Sequence, residues 1–461
     1  MHPTFTTKSQ QQKRIQSHRS NSNNLNVFNL LTCDPLLDKL ESLLPKHRER
    51  QYPPTETLTM FLTQAMSADR SCQQAVNQAA IQKLACGMSS GSTKTGGYCR
   101  ARKRLPQEMI VELTHEVSKI IDQHTPNQWR WKKRPVRLID GTTMTMPDTP
   151  ENQSEFPQQR AQKPGLGFPI CRVVGITCLA SGALLNCAIG RFNGKGSDEQ
   201  TLLRSIQDTF EHGDIVIGDA FFATYFFLAD MHCKGVEILM EQHGARKRST
   251  DFRRGKRLGK KDHLIQITKP KRRPDWMSQE QYDQAPDSLT VRELKVSGKI
   301  LVTTLLSPQY ASKTELKALY KSRWHIELDI RNIKETMGMN ILSCKTPSMV
   351  IKEIWVYLLA YNLLRLLMVQ SAILADIAPR QISFKHCLQL WLMSAQIIDF
   401  LNLEQFDYLL ILMSQCQVGN RPNRVEPRAV KRRPKAFPLL MKTRSQARDH
   451  IKQNGHPKKL K

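Results

Sequence analysis

The strongest constraint on the fold is a pair of short apolar runs that each stop at an aspartate. Val136-Arg137-Leu138-Ile139 leads into Asp140-Gly141-Thr142, and Ile215-Val216-Ile217 leads through Gly218 into Asp219. The continuous apolar run Ile215-Val216-Ile217 marks a strand covered on both faces, so it needs a sheet with helices packed on either side. The surrounding texture agrees. From about Arg134, β-rich runs occur at 136–140, 170–179, 183–190, 214–218 and 236–241, with helical patterns at 199–211 and 221–233 between the later ones. The order β-β-β-α-β-α-β describes an α/β domain around a central mixed sheet, with Asp140 and Asp219 at the C-terminal edge of adjacent strands.

The flanks read differently. Residues 1–27 are polar and basic with little to bury, and disorder is expected. Residues 28–130 are helical in pattern: Pro53-Pro54-Thr55-Glu56 opens an apolar-periodic run, and Pro106 opens another. Between them a loop, Ser89 to Tyr98, leads into Cys99-Arg100-Ala101-Arg102-Lys103-Arg104. Hydroxyls, a tyrosine and four cations suit phosphate contact, and equally suit a solvated face. After 243 the alternation breaks. Residues 244–274 carry thirteen Lys or Arg against Asp251 and Asp262, and two strand-like runs come next, so 244–310 reads as a β-rich insertion bearing a basic loop. A long helix is expected from about Lys313 to Met337, within a segment 311–345 that completes the core. Further helices occupy 346–420. In 421–461, fourteen Lys or Arg stand against two acids, and the prolines argue for an extended basic tail.

Charge narrows the function. Lys plus Arg is 69 against 41 acids, a formal net charge of +28, which favours a polyanionic partner. The most apolar stretch, Ile354 to Val369, contains Asn362 and Arg365 and reads as a buried core helix, so no membrane partner is expected. The N-terminus lacks an apolar signal core, and the eleven cysteines contain no Cys-x-x-Cys pair. Both point to a cytoplasmic protein with reduced thiols and no zinc site.

A third acid joins the two aspartates. Relative to Tyr320, the residues Arg323, Glu327 and Lys334 fall at offsets that place all four within ~60° on a continuous helix. Such a face over Asp140 and Asp219 would give three carboxylates flanked by phosphate-binding cations. Two Mg²⁺ or Mn²⁺ ions held there suit phosphoryl transfer on a polyanion. Each piece also has a plainer reading. An Asp before Gly is often a turn residue, and Glu327 can pair with Arg323 or Arg331. Asp329 and Glu335 are rival acids, about 200° and 80° round the helix from Glu327.

The spacing Tyr320-x2-Arg323-x3-Glu327-x6-Lys334 resembles the YREK signature of bacterial insertion-sequence transposases, in the group named after insertion sequence 4. The blocks Leu138 to Thr142 and Ile217 to Phe222 resemble that family's Asp regions. Pro53 to Thr57, Thr95 to Arg102 and Arg424 to Pro434 resemble further family blocks, and the likeness covers roughly residues 50–445. It implies an RNase H-like (retroviral-integrase-like) catalytic core with a β-rich insertion, preceded by an all-α N-terminal DNA-binding module and followed by C-terminal helices.

The implied activity is cut-and-paste DNA transposition through a hairpin intermediate. Asp140, Asp219 and Glu327 would be the ligands of two Mg²⁺ or Mn²⁺ ions, and Tyr320, Arg323 and Lys334 would hold phosphates. An insertion-domain aromatic that stacks on a flipped base is also implied, and Trp276 is the one tryptophan in the insertion. Expected partners are the terminal inverted repeats of the element, target DNA and a second copy of the chain, in a bacterial, nucleoid-associated setting. Arg100, Arg102, Lys103 and Arg104 would lie on the DNA. The competing reading is a catalytically retired derivative that binds DNA without cleaving it.

Overall fold

The computed structural model describes residues 42–43, 52–85, 92–194, 196–394, 403–419 and 441–455. The expectation of disorder for 1–27, the tail block Arg424 to Pro434 and the start of the polar loop, Ser89 to Gly91, fall outside these residues. Among the described residues the first long helices are α1 (Pro54–Met66), α2 (Cys72–Ala85), α3 (Gly96–Arg104) and α4 (Gln107–His124). Both Pro-led starts are used, with Pro54 at the first helical position of α1 and Pro106 as the N-cap of α4, where the missing N–H costs nothing.

The centre is one nine-stranded mixed sheet, in the order β3-β2-β1-β4-β5-β9-β8-β7-β6. Its strands are β1 (Val136–Thr145), β2 (Ile170–Cys178), β3 (Leu184–Arg191), β4 (Ile215–Gly218), β5 (Glu237–Glu241), β6 (Lys256–Gly259), β7 (Asp262–Thr268), β8 (Ser288–Val296) and β9 (Lys299–Thr303). The β1–β4 and β4–β5 pairs are parallel and the rest antiparallel. Helices α5 (Glu199–Arg204) and α6 (Tyr225–Cys233) join the strands of the first half. The chain leaves after β5 and returns as β9 antiparallel to it, so residues 256–303 extend the central sheet. The basic stretch expected to be a loop includes the β6–β7 hairpin, whose turn uses Lys261 at φ 53. The charges hid it because an edge hairpin needs no apolar run.

Beyond the sheet lie α7 (Lys313–Lys321), α8 (Trp324–Arg331), a π-helical turn (Asn332–Thr336), α9 (Pro347–Ala375), α10 (Phe384–Ser394), α11 (Leu403–Gln415) and α12 (Arg444–Asn454). α9 is long and apolar enough to cross a membrane, but it is buried within the protein. Its Asn362 accepts from the backbone N–H of Leu184 at 2.9 Å and donates to the Leu184 carbonyl at 2.8 Å, which explains the amide in an apolar run. The extended-tail expectation is corrected at α12. The last proline before it is Pro438, and Thr443 closes a capping box with Gln446, so a helix starts once the prolines end.

Candidate active site

β1 and β4 set the frame. Their parallel register pairs Val136 with Ile215 and Leu138 with Ile217, and carried two residues further it brings Asp140 level with Asp219. One expectation is corrected here. Asp140 does not end its strand: β1 runs on to Thr145, paired with β2 throughout, Asp140 opposite Gly175. It is β4 that ends, at Gly218, and beyond it β1 next takes a backbone partner on that flank at Thr145, which bridges Ile341. Gly218 permits the close approach, since a Cβ there would meet the Ile139 side chain at 2.8 Å. Asp219 leaves the strand and accepts the Phe221 N–H at 2.9 Å, while Asp140 accepts the Gly141 N–H at 2.8 Å.

The expected continuous helix from Lys313 to Met337 is also corrected. It is three pieces, α7, α8 and the π turn. At the first break the Ser322 hydroxyl donates to the Leu319 carbonyl at 2.6 Å, and the N–H groups of Ser322 and Arg323 reach back only three residues, to Leu319 and Tyr320. A side chain competing for helix carbonyls tightens the turn in this way. At the second, Met337 N–H bonds to Asn332 O, five residues back. The ~60° arc of an ideal helix therefore does not hold, yet most of the face still converges. Arg323 donates to Glu327 Oε1 at 2.6 Å and stands 3.7 Å from Asp140 Oδ2. Glu327 and Asp140 are thus joined through one guanidinium. Tyr320 is buried, and burial pushes its phenol up to about 12, with the charges of Glu241 and Asp219 adding to the rise.

Lys334 is turned to the strand. It donates to Thr142 Oγ1 at 3.0 Å and to the Thr143 carbonyl at 2.7 Å, so it clasps β1 immediately after Asp140. Burial lowers its pKa from the ordinary lysine value. The neighbouring helix acids separate cleanly. Glu335 pairs outward with Arg331 at 2.9 Å, and Asp329 is fully buried.

Electrostatics single out Asp140. Burial pushes its carboxyl up to about 6, and the negative charges of Asp219 and Glu199 add to the rise, against the Gly141 N–H and Arg323. Glu199 is a fourth acid, one that the sequence pattern did not single out. It opens α5 beside the N-cap Asp198, and a Cβ on Gly141 would lie 2.3 Å from its carboxyl carbon. Burial raises its pKa too; Arg172, 3.8 Å away, opposes this and Asp219 reinforces it. Its only sequence signal is an acid after an N-cap, the commonest position for one.

Among the described residues no three acid, His or Cys side chains are gathered as a ready-made metal cage. The donor set nonetheless fits a hard divalent cation. Asp140, Asp219 and Glu327 offer only carboxylate oxygens, and a cation is what would relieve the like charges around Asp140. Glu327 is paired with Arg323, which also faces Asp140.

The remaining residues expected on DNA divide. Arg100, Lys103 and Arg104 lie exposed on α3. Arg102 does not. It is 8% exposed, its guanidinium 4.7 Å from the Phe61 ring centre and 5.1 Å from that of Tyr98, and it donates to Cys72 Sγ at 3.1 Å. It faces inward because α3 lies on α1 and α2, and it is removed from the expected DNA surface. Trp276 is 46% exposed, but Arg204 covers one ring face at 3.9 Å and Phe226 meets it edge-on. Trp324, beside Arg323, is more open at 57%.

The sheet sets two aspartates level with each other beside a helix carrying Arg and Glu, and the class to which such a chain belongs is shown by its family: the DDE transposases. The family described as "Transposase DDE domain" matches residues 131–363, and the chain belongs to it, as a member of the insertion sequence 4 group. It is 29% identical to the transposase InsG for insertion sequence element IS4 of Escherichia coli (strain K12), over 74% of this chain and 78% of the relative. Among solved structures it is similar to a piggyBac transposase synaptic complex with hairpin DNA, at a TM-score of 0.42 and 10% identity, covering 87% of each chain.

Proposed function

We propose that this transposase moves its own insertion sequence by cut-and-paste chemistry, with an RNase H-like core that hydrolyses phosphodiesters and transfers strands at two bound Mg²⁺ or Mn²⁺ ions. Asp140, Asp219 and Glu327 would hold the ions, which when bound would activate the attacking oxygen and neutralise the leaving one. The observation that carries this is the bridge Asp140–Arg323–Glu327 beside Asp219. It joins a guanidinium to the acids where a phosphate would need both cation and metal. Arg323 would pass from Glu327 to the phosphate when DNA and metal arrive. Tyr320 would position the same phosphate, and Lys334 would reach it by leaving the Thr143 carbonyl. Half-burial of the acids keeps bulk water from screening these charges.

Arg100, Lys103 and Arg104 on α3 would contact the backbone of the terminal repeats, and the net charge of +28 would steer association. A hairpin intermediate, a homodimer pairing two ends and a cytoplasmic, nucleoid-associated setting follow from the family resemblance. Trp276 would offer its ring to a flipped base only after Arg204 withdraws. The test is cleavage of labelled linear DNA bearing the element's own ends, with Mg²⁺ or EDTA, by wild type and Asp219→Ala. Metal-dependent nicks at the ends that vanish in the variant, with binding retained, are expected. End-binding without cleavage by either protein would refute the reading in favour of a retired DNA-binding derivative.

A further inference from the structure

We propose that Asp329 is a positioning residue for the reaction, setting the rotation and height of α8 so that Glu327 faces the two aspartates; this rests on the reading of the site above. Asp329 lies two residues beyond Glu327, about 200° round the helix, and is fully buried. It accepts from Arg365 Nη2 at 2.7 Å and from Arg380 Nη1 and Nη2 at 2.5 and 2.9 Å. Neither arginine is anchored to α8. Arg380 donates to the carbonyls of Leu179 at 2.8 Å and Cys178 at 3.0 Å. Leu179 N–H in turn bonds to Val136 O, and Cys178 pairs with Arg137 in β1. Arg365 donates to the Tyr361 hydroxyl at 2.8 Å, which donates to the Gly182 carbonyl at 2.7 Å. Gly182, at φ +79, is bare where a Cβ would lie 2.7 Å from the Arg365 guanidinium carbon. The carboxylate therefore ties the helix that carries Glu327 to the strand that carries Asp140, through charge-assisted bonds in a dry site. A buried acid held by two arginines is a costly way to gain stability alone, whereas fixing the distance between two site acids needs a rigid, directional link.

The test compares cleavage rate against Mn²⁺ concentration, and DNA affinity, for wild type, Asp329→Asn and Asp262→Asn. Asp262 supplies the control because it is equally inside, paired with Arg292 at 2.8 and 2.6 Å, but sits in β7, away from α8. Asp329→Asn is expected to raise the half-saturating Mn²⁺ concentration about tenfold or more with DNA affinity kept, while Asp262→Asn leaves it at the wild-type value. An unshifted Asp329→Asn, or an equal shift in Asp262→Asn, would overturn the proposal. Should Asp329→Asn fail to fold by circular dichroism, Arg380→Lys, which keeps the charge but cannot span both partners, is expected to give a smaller rise. No rise there overturns it as well. A wild type that does not cleave refutes the reading of the site and this proposal with it; a metal-dependent wild type beside unshifted variants refutes this proposal alone.

Discussion

Arg323→Gln should move two properties in opposite directions. In the protein without DNA, Arg323 is 2.6 Å from Glu327 and 3.7 Å from Asp140, with the Arg and Glu side chains 21% and 32% exposed. A charge-assisted pair of that partial burial contributes about 1–2 kcal/mol. A cation binding at the acids must first displace that partner from Glu327. Without the guanidinium, Mn²⁺ should bind roughly 5–30-fold tighter, which is the same free energy expressed as an affinity ratio. Cleavage should nonetheless fall about 10²–10³-fold, because the phosphate loses its prepared cation. Isothermal titration of Mn²⁺ into DNA-free protein gives the first quantity, and single-turnover nicking at saturating Mn²⁺ gives the second. Unchanged or weaker metal binding would refute the idea that Arg323 keeps the site closed in the resting protein. Undiminished cleavage would refute its passage to the phosphate.

Three further outcomes are expected. Arg100→Ala with Lys103→Ala should lower the slope of log affinity against log salt by ~0.9 for each phosphate no longer neutralised, whereas Arg102→Met should leave the slope unchanged because its guanidinium lies inside the helical module; a reduced slope for Arg102→Met would show it on the DNA after all. Asn362→Leu should cost about 2–4 kcal/mol in urea unfolding, since it strands the N–H and carbonyl of Leu184; a loss below about 1 kcal/mol would contradict that role. Glu353 accepts the N–H groups of Ser343 and Cys344, and burial holds its carboxyl above the ordinary 4.5. The folded state then keeps a proton that the unfolded chain has released. This contribution is complete below the ordinary 4.5 and is lost as pH rises through the folded value, so Glu353→Gln should flatten that part of the stability profile, and an unchanged profile would refute it.

Much of this protein was legible along the chain because the signals are local. An apolar run before an acid reports a covered strand, and this holds for Val136 to Ile139 and Ile215 to Ile217 without reference to any partner; the acid marks the end of the strand at Asp219 but not at Asp140. The spacing of Tyr320, Arg323, Glu327 and Lys334 carried the family, and Asn362 and Arg365 already marked α9 as a core helix. The tertiary structure decided whatever depends on a distant surface. The length of β1 was set by β2, which pairs past Asp140 as far as Thr145. Arg102 reads like its neighbours on α3, and only the packing of α1 and α2 against that helix turns it inward. Glu199 and Asp329 are ordinary helix acids until Gly141 and Arg380, 58 and 51 positions away, come within reach. Burial, ion pairing and the raised pKa of Asp140 belong to assembled surfaces, and a charged side chain shows in sequence only that it must find water or a partner.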